Sequence, residues 1–412
     1  MPDRVGIECL NFYGGSAYVD VEELFEYRGL DKSRFGNLML YRKSVGMPWE
    51  DPVSNAVNAA KPIIDSLSDE KRNRIELVVT ASESGLDFGK SMSTYVHDLL
   101  GLSRNCRAYE IKQACFGGTA ALEAASTFVA SGMCQGATAL VLATDVVYST
   151  ARGTYAEPSQ GVGAIAMLVS DNPVVFDLDF QAYGSLCYEV MDTCRPVDNV
   201  ETGDSDLSLL SYLDCLENSY ADYAAKVQGA DFATTFDYFA FHTPFAGMVK
   251  GGHRKMMRDL YGMKSRDIDT DFQKRVAPSL RFCSDVGNVY SATAYLALSS
   301  LVSNAPLQGA SRVGIFSYGS GCSSKFFSGI VTPESHASIS QMCIQDRLDS
   351  RYRLTMAEYD EVIDANESWG FGIQNKDSDF TLPRDIYDEQ FRGTGRLVLD
   401  RIRGFHREYR WA

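Results

Sequence analysis

EIKQACFGGTAALEAASTFVASG, from Glu110 to Gly132, places one cysteine and two glycines ahead of a long run of small and apolar residues. From about Thr119 the pattern predicts a helix that ends at Gly132. Its apolar residues surround the helix axis, which is typical of a buried helix. Cys115 would lie just ahead of the helix N-terminus, a position that lowers a thiol pKa. We therefore consider Cys115 a candidate nucleophile, although a buried cysteine more often only packs.

A second stretch repeats this design. DVGNVYSATAYLALSSLVSNAP, residues 285–306, is again a glycine turn followed by a helix that is apolar on all sides. Buried strands are predicted at 75–80, 137–147 and 161–170 around the first helix. In the second half, 236–245 is predicted as a strand that ends in a loop, and 311–331 as two strands joined by a Gly/Ser turn. Two α/β halves, each with its helix in the middle of a layered sandwich, would satisfy both patterns.

The composition excludes several classes of protein. The chain has 412 residues, 45% of them hydrophobic and 23% charged, as in soluble globular proteins. No apolar run approaches the ~20 residues that cross a bilayer, and the first residues do not resemble a signal peptide. Ten irregularly spaced cysteines and five scattered histidines argue against a metal site or a disulfide framework. The net charge of −15 argues against nucleic acid, and we expect a cytoplasmic protein without membrane contact.

Three more side chains are candidates for catalysis. Glu83 follows the strand 75–80, where desolvation would suit an acid/base role, although such a glutamate is commonly solvated or caps a helix. His242 ends the strand YFAFH just before Pro244 breaks it, although a lone histidine is more often a hydrogen-bonded core residue. Asn288 opens the second glycine turn and could bind a substrate carbonyl or fix His242. Gly-Asn is also a common turn pair, so the asparagine could serve the turn alone.

A glycine- and serine-rich turn near the end of the second half has two interpretations. In SYGSG, residues 317–321, backbone N–H groups of Gly319 and Ser320 could face an oxyanion. The same residues could equally form only a tight hairpin.

A basic helix follows His242 by a few residues. In MVKGGHRKMMRDLY, residues 248–261, Lys250, Arg254 and Arg258 are four apart and share one helix face, with His253 on the opposite face. A solvated basic face is the commoner meaning of this pattern. In a strongly acidic protein, a local positive patch could instead hold a phosphate or an acidic partner.

These pieces, in this order, resemble the 3-hydroxy-3-methylglutaryl (HMG)-CoA synthase family of the thiolase superfamily. The resemblance spans Ser82 to Gly329, and its combination of motifs is highly specific. The matching segments are Ser82-Glu83-Ser84, ACFGGTAAL, EPSQGVGAIAML, FHTPFAGM, VGNVYSAT and SYGSGCSSKFFSG.

The resemblance implies a fold and a set of site residues. The fold is a thiolase-like, duplicated αβαβα sandwich, with the nucleophile in residues 1–171 and the catalytic histidine and a C-terminal extension in 172–412. The resemblance assigns the nucleophile to Cys115, the acid/base to Glu83 and the catalytic histidine to His242, with Asn288 beside them. Candidates for oxyanion or substrate contact are Gly319, Ser320, Tyr148 and Pro244; candidates for carrier or phosphopantetheine contact are Arg34, Lys250, His253, Arg254 and Arg258.

One branch of the family is the most similar. FHTPFAGMVKGGHRKMMR looks like the HMG synthases of polyketide β-branching cassettes, which act on acyl carrier protein (ACP) thioesters. That branch more often has Ala where this chain has Gly252, and mevalonate-pathway synthases tend to have a lysine-rich segment after His-x-Pro-Phe. The resemblance implies an acetyl-Cys115 intermediate, an aldol-type condensation with a carrier-bound β-ketone, and hydrolysis. It also implies donor and acceptor carriers, a homodimer, and no bound metal or other cofactor.

Other functions stay open at this point. A mevalonate-pathway synthase would use free acetyl-CoA and acetoacetyl-CoA. A thiolase-fold ketoacyl synthase would leave Glu83 unexplained, and a Cys-His hydrolase would not need the doubled architecture. A non-catalytic thiolase-fold scaffold predicts that Cys115 is never acetylated.

Overall fold

The computed structural model describes residues 4–147, 151–197, 200–381 and 385–412. The strands are β1 (Gly6–Tyr13), β2 (Ala17–Asp20), β3 (Arg42–Val45), β4 (Ile75–Ala81), β5 (Arg107–Ile111), β6 (Thr138–Val146), β7 (Val162–Ser170), β8 (Phe176–Cys187), β9 (Thr193–Val197), β10 (Val200–Gly203), β11 (Tyr238–Phe241), β12 (Ser311–Gly319), β13 (Ser323–Val331), β14 (Tyr352–Arg353), β15 (Lys376–Asp377), β16 (Leu397–Arg403) and β17 (His406–Trp411).

The helices lie between groups of these strands. They are α1 (Val21–Arg28), α2 (Phe35–Leu38), α3 (Pro52–Ser66), α4 (Asp69–Asn73), α5 (Ser93–Leu99), α6 (Gly117–Ala130), α7 (Ser205–Lys226), α8 (Ala246–Tyr261), α9 (Ser265–Arg275), α10 (Ala277–Val286), α11 (Thr293–Asn304), α12 (Pro333–Ser340), α13 (Ile344–Asp349), α14 (Met356–Glu367) and α15 (Ile386–Gln390). Within the described ranges, none of them combines the length and the apolar character that a bilayer crossing requires.

The strand order of the large sheet repeats once. In the first set, β1 is antiparallel to β7, β7 is antiparallel to β6, and β6 is parallel to β4, which is parallel to β5. In the second set, β8 is antiparallel to β13, β13 is antiparallel to β12, and β12 is parallel to β11. The two sets join where Gly6 and Ile7 of β1 pair with Asp177 and Phe176 of β8.

Successive residues of the central strands belong to different hydrophobic layers, because side chains alternate between the faces of a sheet. Val79 of β4 and Ile315 of β12 face one shared cluster that includes α6 and α11. Val78 packs with α3 on the outer side of the first strand set. Phe316 packs with α7 and α8 on the outer side of the second set. The layers are therefore α3, first strand set, α6 with α11, second strand set, and α7 with α8, which confirms the αβαβα prediction.

The central helix α6 differs slightly from its predicted bounds. It begins at Gly117 rather than near Thr119, so the two glycines belong to its first turn. Its C-cap is Ser131, and Gly132 follows with φ +65°, the left-handed conformation that ends many helices. The early start brings the helix N-terminus within two residues of Cys115.

Candidate active site

Cys115 lies in the short loop between β5 and α6. The preceding residue, Ala114, has φ +43°, in the left-handed region that residues with a side chain rarely adopt. The Cys115 Sγ donates a hydrogen bond to Glu83 Oε1 at 3.3 Å. The turned backbone therefore presents the thiol to Glu83, which the sequence placed 32 residues away.

The pKa of Cys115 contradicts the sequence prediction. Burial, and after it the charge of Glu83, raises the pKa of the thiol well above its usual value. The prediction of a lowered pKa was wrong, because it considered the helix N-terminus but not the loss of solvent and the adjacent carboxylate. Cys115 therefore keeps its proton in this state, and the proton must move before the sulfur attacks a substrate.

Glu83 occupies the loop after β4, and its backbone N–H donates to Asp145 Oδ1 at 2.9 Å. Burial raises the pKa of Glu83 from 4.5 to about 7, and the charge of Arg195 opposes this rise. A carboxyl group with such a pKa is populated in both protonation states near neutral pH. It can therefore act as a general base and as a general acid.

Three loops meet tightly around Cys115. A Cβ added to Gly118 would lie 2.2 Å from the carbonyl oxygen of Ser291, in the loop before α11. A Cβ added to Gly319, at the end of β12, would lie 2.5 Å from the Phe116 backbone nitrogen. Only glycine fits such approaches, so these two positions bring both glycine turns and the end of β12 together.

His242 follows the end of β11 and is buried. Its backbone N–H donates to Phe316 O at 2.7 Å, and Tyr212 Oη donates to its carbonyl at 2.9 Å. The Nδ1 atom is buried and has no hydrogen-bond partner in the described part of the chain. Burial lowers the pKa of the imidazole to about 3, so the ring is neutral at neutral pH. One ring nitrogen of a neutral imidazole carries a proton that it can donate to a bound substrate.

Asn288 shapes the second glycine turn. Its Oδ1 accepts hydrogen bonds from the Tyr290 N–H at 2.9 Å and from Thr293 Oγ1 at 2.8 Å. Its backbone pairs with Ser159 and Gly161 of the EPSQG segment. No hydrogen bond joins Asn288 to His242 among the described residues, so the carboxamide oxygen serves the turn. The Nδ2 group makes no hydrogen bond to the described residues.

Asp145, near the end of β6, is a buried carboxylate that the sequence analysis missed. Its Oδ1 accepts from the hydroxyls of Ser82 and Ser84 and from the N–H groups of Glu83 and Ser84. Its Oδ2 accepts from the N–H and hydroxyl of Ser291, at 3.0 and 2.5 Å. Asp145 therefore ties the Glu83 loop to the loop before α11. The sequence did carry a signal for Asp145, because it is the only acidic residue in the apolar run ATALVLATDVV, residues 137–147.

Arg195 is the second group that sequence reasoning missed. It lies on β9, and its guanidinium donates to Glu201 Oε2 of β10 at 2.9 Å. It also lies 3.9 Å from Glu83 Oε2 and donates to the Glu83 carbonyl at 3.5 Å. Its Cζ is 5.2 Å from the centroid of the Tyr290 ring. The contact with Glu83 joins residues 112 positions apart, for which the sequence carries no local signal.

The remaining candidates for substrate contact have different surroundings. Gly319 packs against the Cys115 loop, and the half-buried Ser320 follows it. Pro244 is half-buried in the segment between β11 and α8, close in sequence to His242. Tyr148 lies outside the described residues.

The basic face of α8 carries its own carboxylate partners. Lys250 Nζ lies 3.3 Å and an Arg254 guanidinium nitrogen 3.6 Å from Asp269 Oδ1. Arg258 Nε lies 2.9 Å from the Oδ1 atom of Asp259, its neighbour in sequence. Arg254 and Arg258 are exposed, and Lys250 is half-buried.

Arg34 and His253, the other two candidates for carrier contact, differ sharply. His253 is fully buried, with Nε2 2.7 Å from Asp271 Oδ2, so it cannot belong to an exposed docking surface. Arg34 is exposed, and its Cζ lies 4.6 Å from the centroid of the Tyr155 ring. The segment with Arg34 touches α8, because a Cβ on Gly247 would overlap the Asn37 carbonyl oxygen at 1.7 Å.

Comparisons with known proteins agree over nearly the whole chain. Family models described as hydroxymethylglutaryl-coenzyme A synthase N terminal and C terminal match residues 1–173 and 266–407. The chain is 49% identical to the polyketide biosynthesis 3-hydroxy-3-methylglutaryl-ACP synthase PksG of Bacillus subtilis, over 98% of this chain and 99% of that protein. It is 31% identical to the hydroxymethylglutaryl-CoA synthase of Enterococcus faecalis, over 87% of this chain and 91% of that protein.

A solved structure matches even more completely. The crystal structure of the curacin biosynthetic pathway HMG synthase in complex with acetyl donor-ACP superimposes with a TM-score of 0.97. The two sequences are 51% identical, and the match covers 100% of each chain. The fold is therefore shared from end to end.

Proposed function

Because the chain belongs to the hydroxymethylglutaryl-CoA synthase family, we propose that it is a C–C bond-forming acyltransferase of polyketide β-branching. It would condense an acetyl group from acetyl-ACP with the β-ketone of a carrier-bound polyketide intermediate. The product would be a 3-hydroxy-3-carboxymethyl acyl thioester. The observation that carries the proposal is the hydrogen bond from Cys115 Sγ to Glu83 Oε1. The branch is supported by the higher identity to PksG than to the Enterococcus faecalis synthase, and by the donor-ACP complex of the curacin enzyme.

The first step loads the acetyl group onto Cys115. Glu83 takes the thiol proton across the existing hydrogen bond, and the thiolate attacks the acetyl thioester. The bond from the Cys115 sulfur to the acetyl carbon forms, and the bond to the phosphopantetheine sulfur breaks. The proton passes to the departing sulfur, which returns Glu83 to its ionised form.

The second step forms the nucleophilic carbon. Glu83 removes a proton from the acetyl methyl group, a role that typically contributes ~10²–10⁴-fold to the rate. The oxygen of the resulting enolate needs hydrogen-bond donors. Backbone N–H groups at Cys115 and in the turn of Gly319 and Ser320 are the proposed donors, and losing one such donor often costs ~10²–10³-fold.

The third step joins the two carbon chains. The enolate carbon attacks the β-ketone, and neutral His242 donates to the developing alkoxide with help from the Asn288 amide. The proton that Glu83 removed from the methyl group replaces the one that His242 donated, so that Glu83 is again ionised and the imidazole again neutral. Water then adds to the acyl-Cys115 carbonyl and the C–S bond breaks. One proton of the water goes to the Cys115 sulfur and the other to solvent, so the product leaves as a carboxylate and Cys115 is again a thiol.

The proposed carrier surface combines Arg34 with Lys250, Arg254 and Arg258. Carrier proteins are generally acidic, so a protein with net charge −15 repels them at long range and needs a local positive area. The contact between the Arg34 segment and the N-terminal turn of α8 supports a shared surface for these residues. His253 is left out because it is buried.

The broader assignments are also proposals. We propose a cytoplasmic homodimer whose substrates arrive on phosphopantetheine and which needs no resident metal, nucleotide or redox cofactor. The proposed halves are residues 1–171 and 172–412. The repetition of the strand order, with β8 as the first strand after residue 171, supports this boundary.

Intact-protein mass spectrometry tests the proposed function. Wild-type protein and Cys115→Ser are incubated briefly with acetyl-ACP and, separately, with acetyl-CoA. We expect fast acetylation from the carrier, slow acetylation from CoA, and no adduct on the variant. Equal or faster acetylation from CoA would favour a mevalonate-pathway enzyme. No adduct from either donor would favour a non-catalytic scaffold and contradict the mechanism.

A further inference from the structure

The antiparallel strands β9 and β10 bring a charged pair, Arg195 and Glu201, to the active site. We propose that Arg195 is a positioning residue that holds the Glu83 carboxylate beside Cys115, and that Glu201 restrains Arg195 by competing for the same guanidinium. This inference rests on the proposed function, because it concerns how Glu83 serves as the base. Neither residue belongs to the motifs that indicated the family.

The distances describe this competition directly. One guanidinium nitrogen of Arg195 lies 2.9 Å from Glu201 Oε2 and 3.9 Å from Glu83 Oε2. A second nitrogen donates to the Glu83 backbone carbonyl at 3.5 Å. Arg195 therefore contacts both the main chain and the side chain of Glu83, while its shorter ion pair is with Glu201.

Tyr290 also contacts the guanidinium of Arg195. The Arg195 Cζ lies 5.2 Å from the centroid of the Tyr290 ring, within the range of a cation–π contact. Tyr290 has φ +48°, and its N–H donates to Asn288 Oδ1. The second glycine turn thus holds Tyr290, Tyr290 packs on Arg195, and Arg195 reaches Glu83. Asn288 can therefore influence the position of Glu83 indirectly, through Tyr290 and Arg195, in addition to any contact with substrate.

The groups around Glu83 explain why a cation is needed there. Asp145 accepts hydrogen bonds from its loop, Cys115 donates to its Oε1, and Glu201 lies across Arg195. Burial and the two neighbouring carboxylates, Asp145 and Glu201, all favour the neutral form of Glu83. Arg195 favours the carboxylate, which is the form that removes a methyl proton. Without Arg195, less of the base would be ionised at neutral pH.

The test follows proton exchange on the acetyl-enzyme. Cys115 is acetylated, the protein is diluted into D₂O buffers, and the uptake of deuterium by the acetyl methyl group is measured by mass spectrometry. The variants are Arg195→Gln, Arg195→Lys and Glu201→Gln. The pH dependence of the exchange rate reports ionisation of the base, which a merely structural role would not move.

We expect shifts in opposite directions. The exchange rate should fall at low pH, where the base is protonated, and we call this fall the acidic limb. An opposite charge at this distance typically lowers a carboxyl pKa by ~1–3 units. Arg195→Gln should therefore move the midpoint of the acidic limb up by about one pH unit or more. Arg195→Lys keeps the charge and should restore most of the wild-type profile. Glu201→Gln removes a negative charge and a competitor, and should move the limb down. Acidic limbs that coincide with wild type in both Gln variants would overturn the proposal.

A matched control and a loading check separate the possible failures. Arg401 and Glu408 also pair across two antiparallel strands, β16 and β17, at 2.6 Å, but they are exposed, so Arg401→Gln and Glu408→Gln should leave the profile unchanged. If Arg195→Gln does not fold, the downward shift in Glu201→Gln still decides the question. If Cys115 of the wild-type protein is not acetylated at all, this result would instead contradict the proposed function itself.

Discussion

Two regions of the molecule are rich in charge, and they differ in burial. The interior cluster of Glu83, Asp145 and Arg195 is largely withdrawn from solvent, and every member contacts another loop of the site. The α8 face, with Arg254 and Arg258, is exposed and already paired with nearby carboxylates. Both regions contain opposite charges within 4 Å. In the interior cluster, burial raises the pKa of Glu83 from 4.5 to about 7, and burial and the charge of Glu83 raise the pKa of the neighbouring Cys115 thiol.

The difference follows from the dielectric environment. Two unit charges 4 Å apart interact by about 1 kcal/mol in water and about 4 kcal/mol at an effective dielectric constant of 20. Exposed pairs are also screened by salt, and they commonly contribute ~0–1 kcal/mol. Changes to the interior cluster should therefore alter chemistry and folding. Changes to the α8 face should alter only the encounter with a charged partner.

The largest effect is expected at the proposed base. Glu83→Gln should lower the condensation rate by about 10²–10⁴-fold, because the amide cannot accept the methyl proton. Acetylation of Cys115 should slow less than condensation, because the substitution removes the acceptor of the thiol proton but also removes the Glu83 charge that helps to raise the thiol pKa. Single-turnover assays that follow acetyl-enzyme and product separately measure both steps.

Glu123→Gln is the matched control for this comparison. Glu123 lies on α6, is half exposed and pairs with Lys325 at 3.1 Å, so its loss should leave both steps unchanged. Condensation within tenfold of wild type in Glu83→Gln would remove Glu83 from the role of base.

The next effect concerns stability. Asp145→Asn should lower the free energy of unfolding by about 2–3 kcal/mol, because an amide NH₂ would replace one of the two acceptor oxygens and leave donors such as the Ser291 N–H unsatisfied. Urea unfolding measures this change. Asp388→Asn, at an exposed pair with Arg392, should leave the urea midpoint unchanged. Equal midpoints for the two variants would show that the buried network does not hold the loops together.

A pH-dependent effect of similar size should appear at Glu83. Its pKa is raised by burial from 4.5 to about 7, so the folded state is destabilised as pH rises from about 4.5 through about 7. Such a rise corresponds to roughly 3 kcal/mol, and Glu83→Gln should recover about 2 kcal/mol of it at pH 8 and little at pH 4.5. Thermal unfolding of wild type and variant across this range measures the difference. A difference that is constant with pH would contradict the raised pKa.

The sequence was informative where function depends on local pattern. The glycine turns, the two buried helices and the motif residues Cys115, Glu83 and His242 are short, continuous signals, and the αβαβα fold they predicted is confirmed. The thiol pKa was predicted in the wrong direction, since burial depends on the assembled layers. The proposed role of Arg195 could not be predicted, because it depends on a contact with Glu83, which lies 112 positions away in the sequence.

The α8 helix shows a second limit of local pattern. Its four-residue spacing correctly placed Arg254 and Arg258 on an exposed face and His253 on the other. It could not show that Asp269, on the following helix, lies beside Lys250 and Arg254. The positive area is therefore weaker than its count of cations suggests.

The smallest effect is expected at this carboxylate. Asp269→Asn would leave Lys250 and Arg254 without their nearest counter-charge, and should lower the KM for acetyl-ACP about two- to threefold. Arg254→Glu should raise it by a similar or larger factor, and both changes should fade at high ionic strength. The kcat should stay unchanged in both variants, because neither residue lies in the catalytic cluster. Asp65→Asn provides the control, since Asp65 pairs with Lys61 on α3, in the opposite outer layer. A KM for acetyl-ACP that is the same in all four proteins would exclude the α8 face from carrier docking and leave Arg34 to be tested alone.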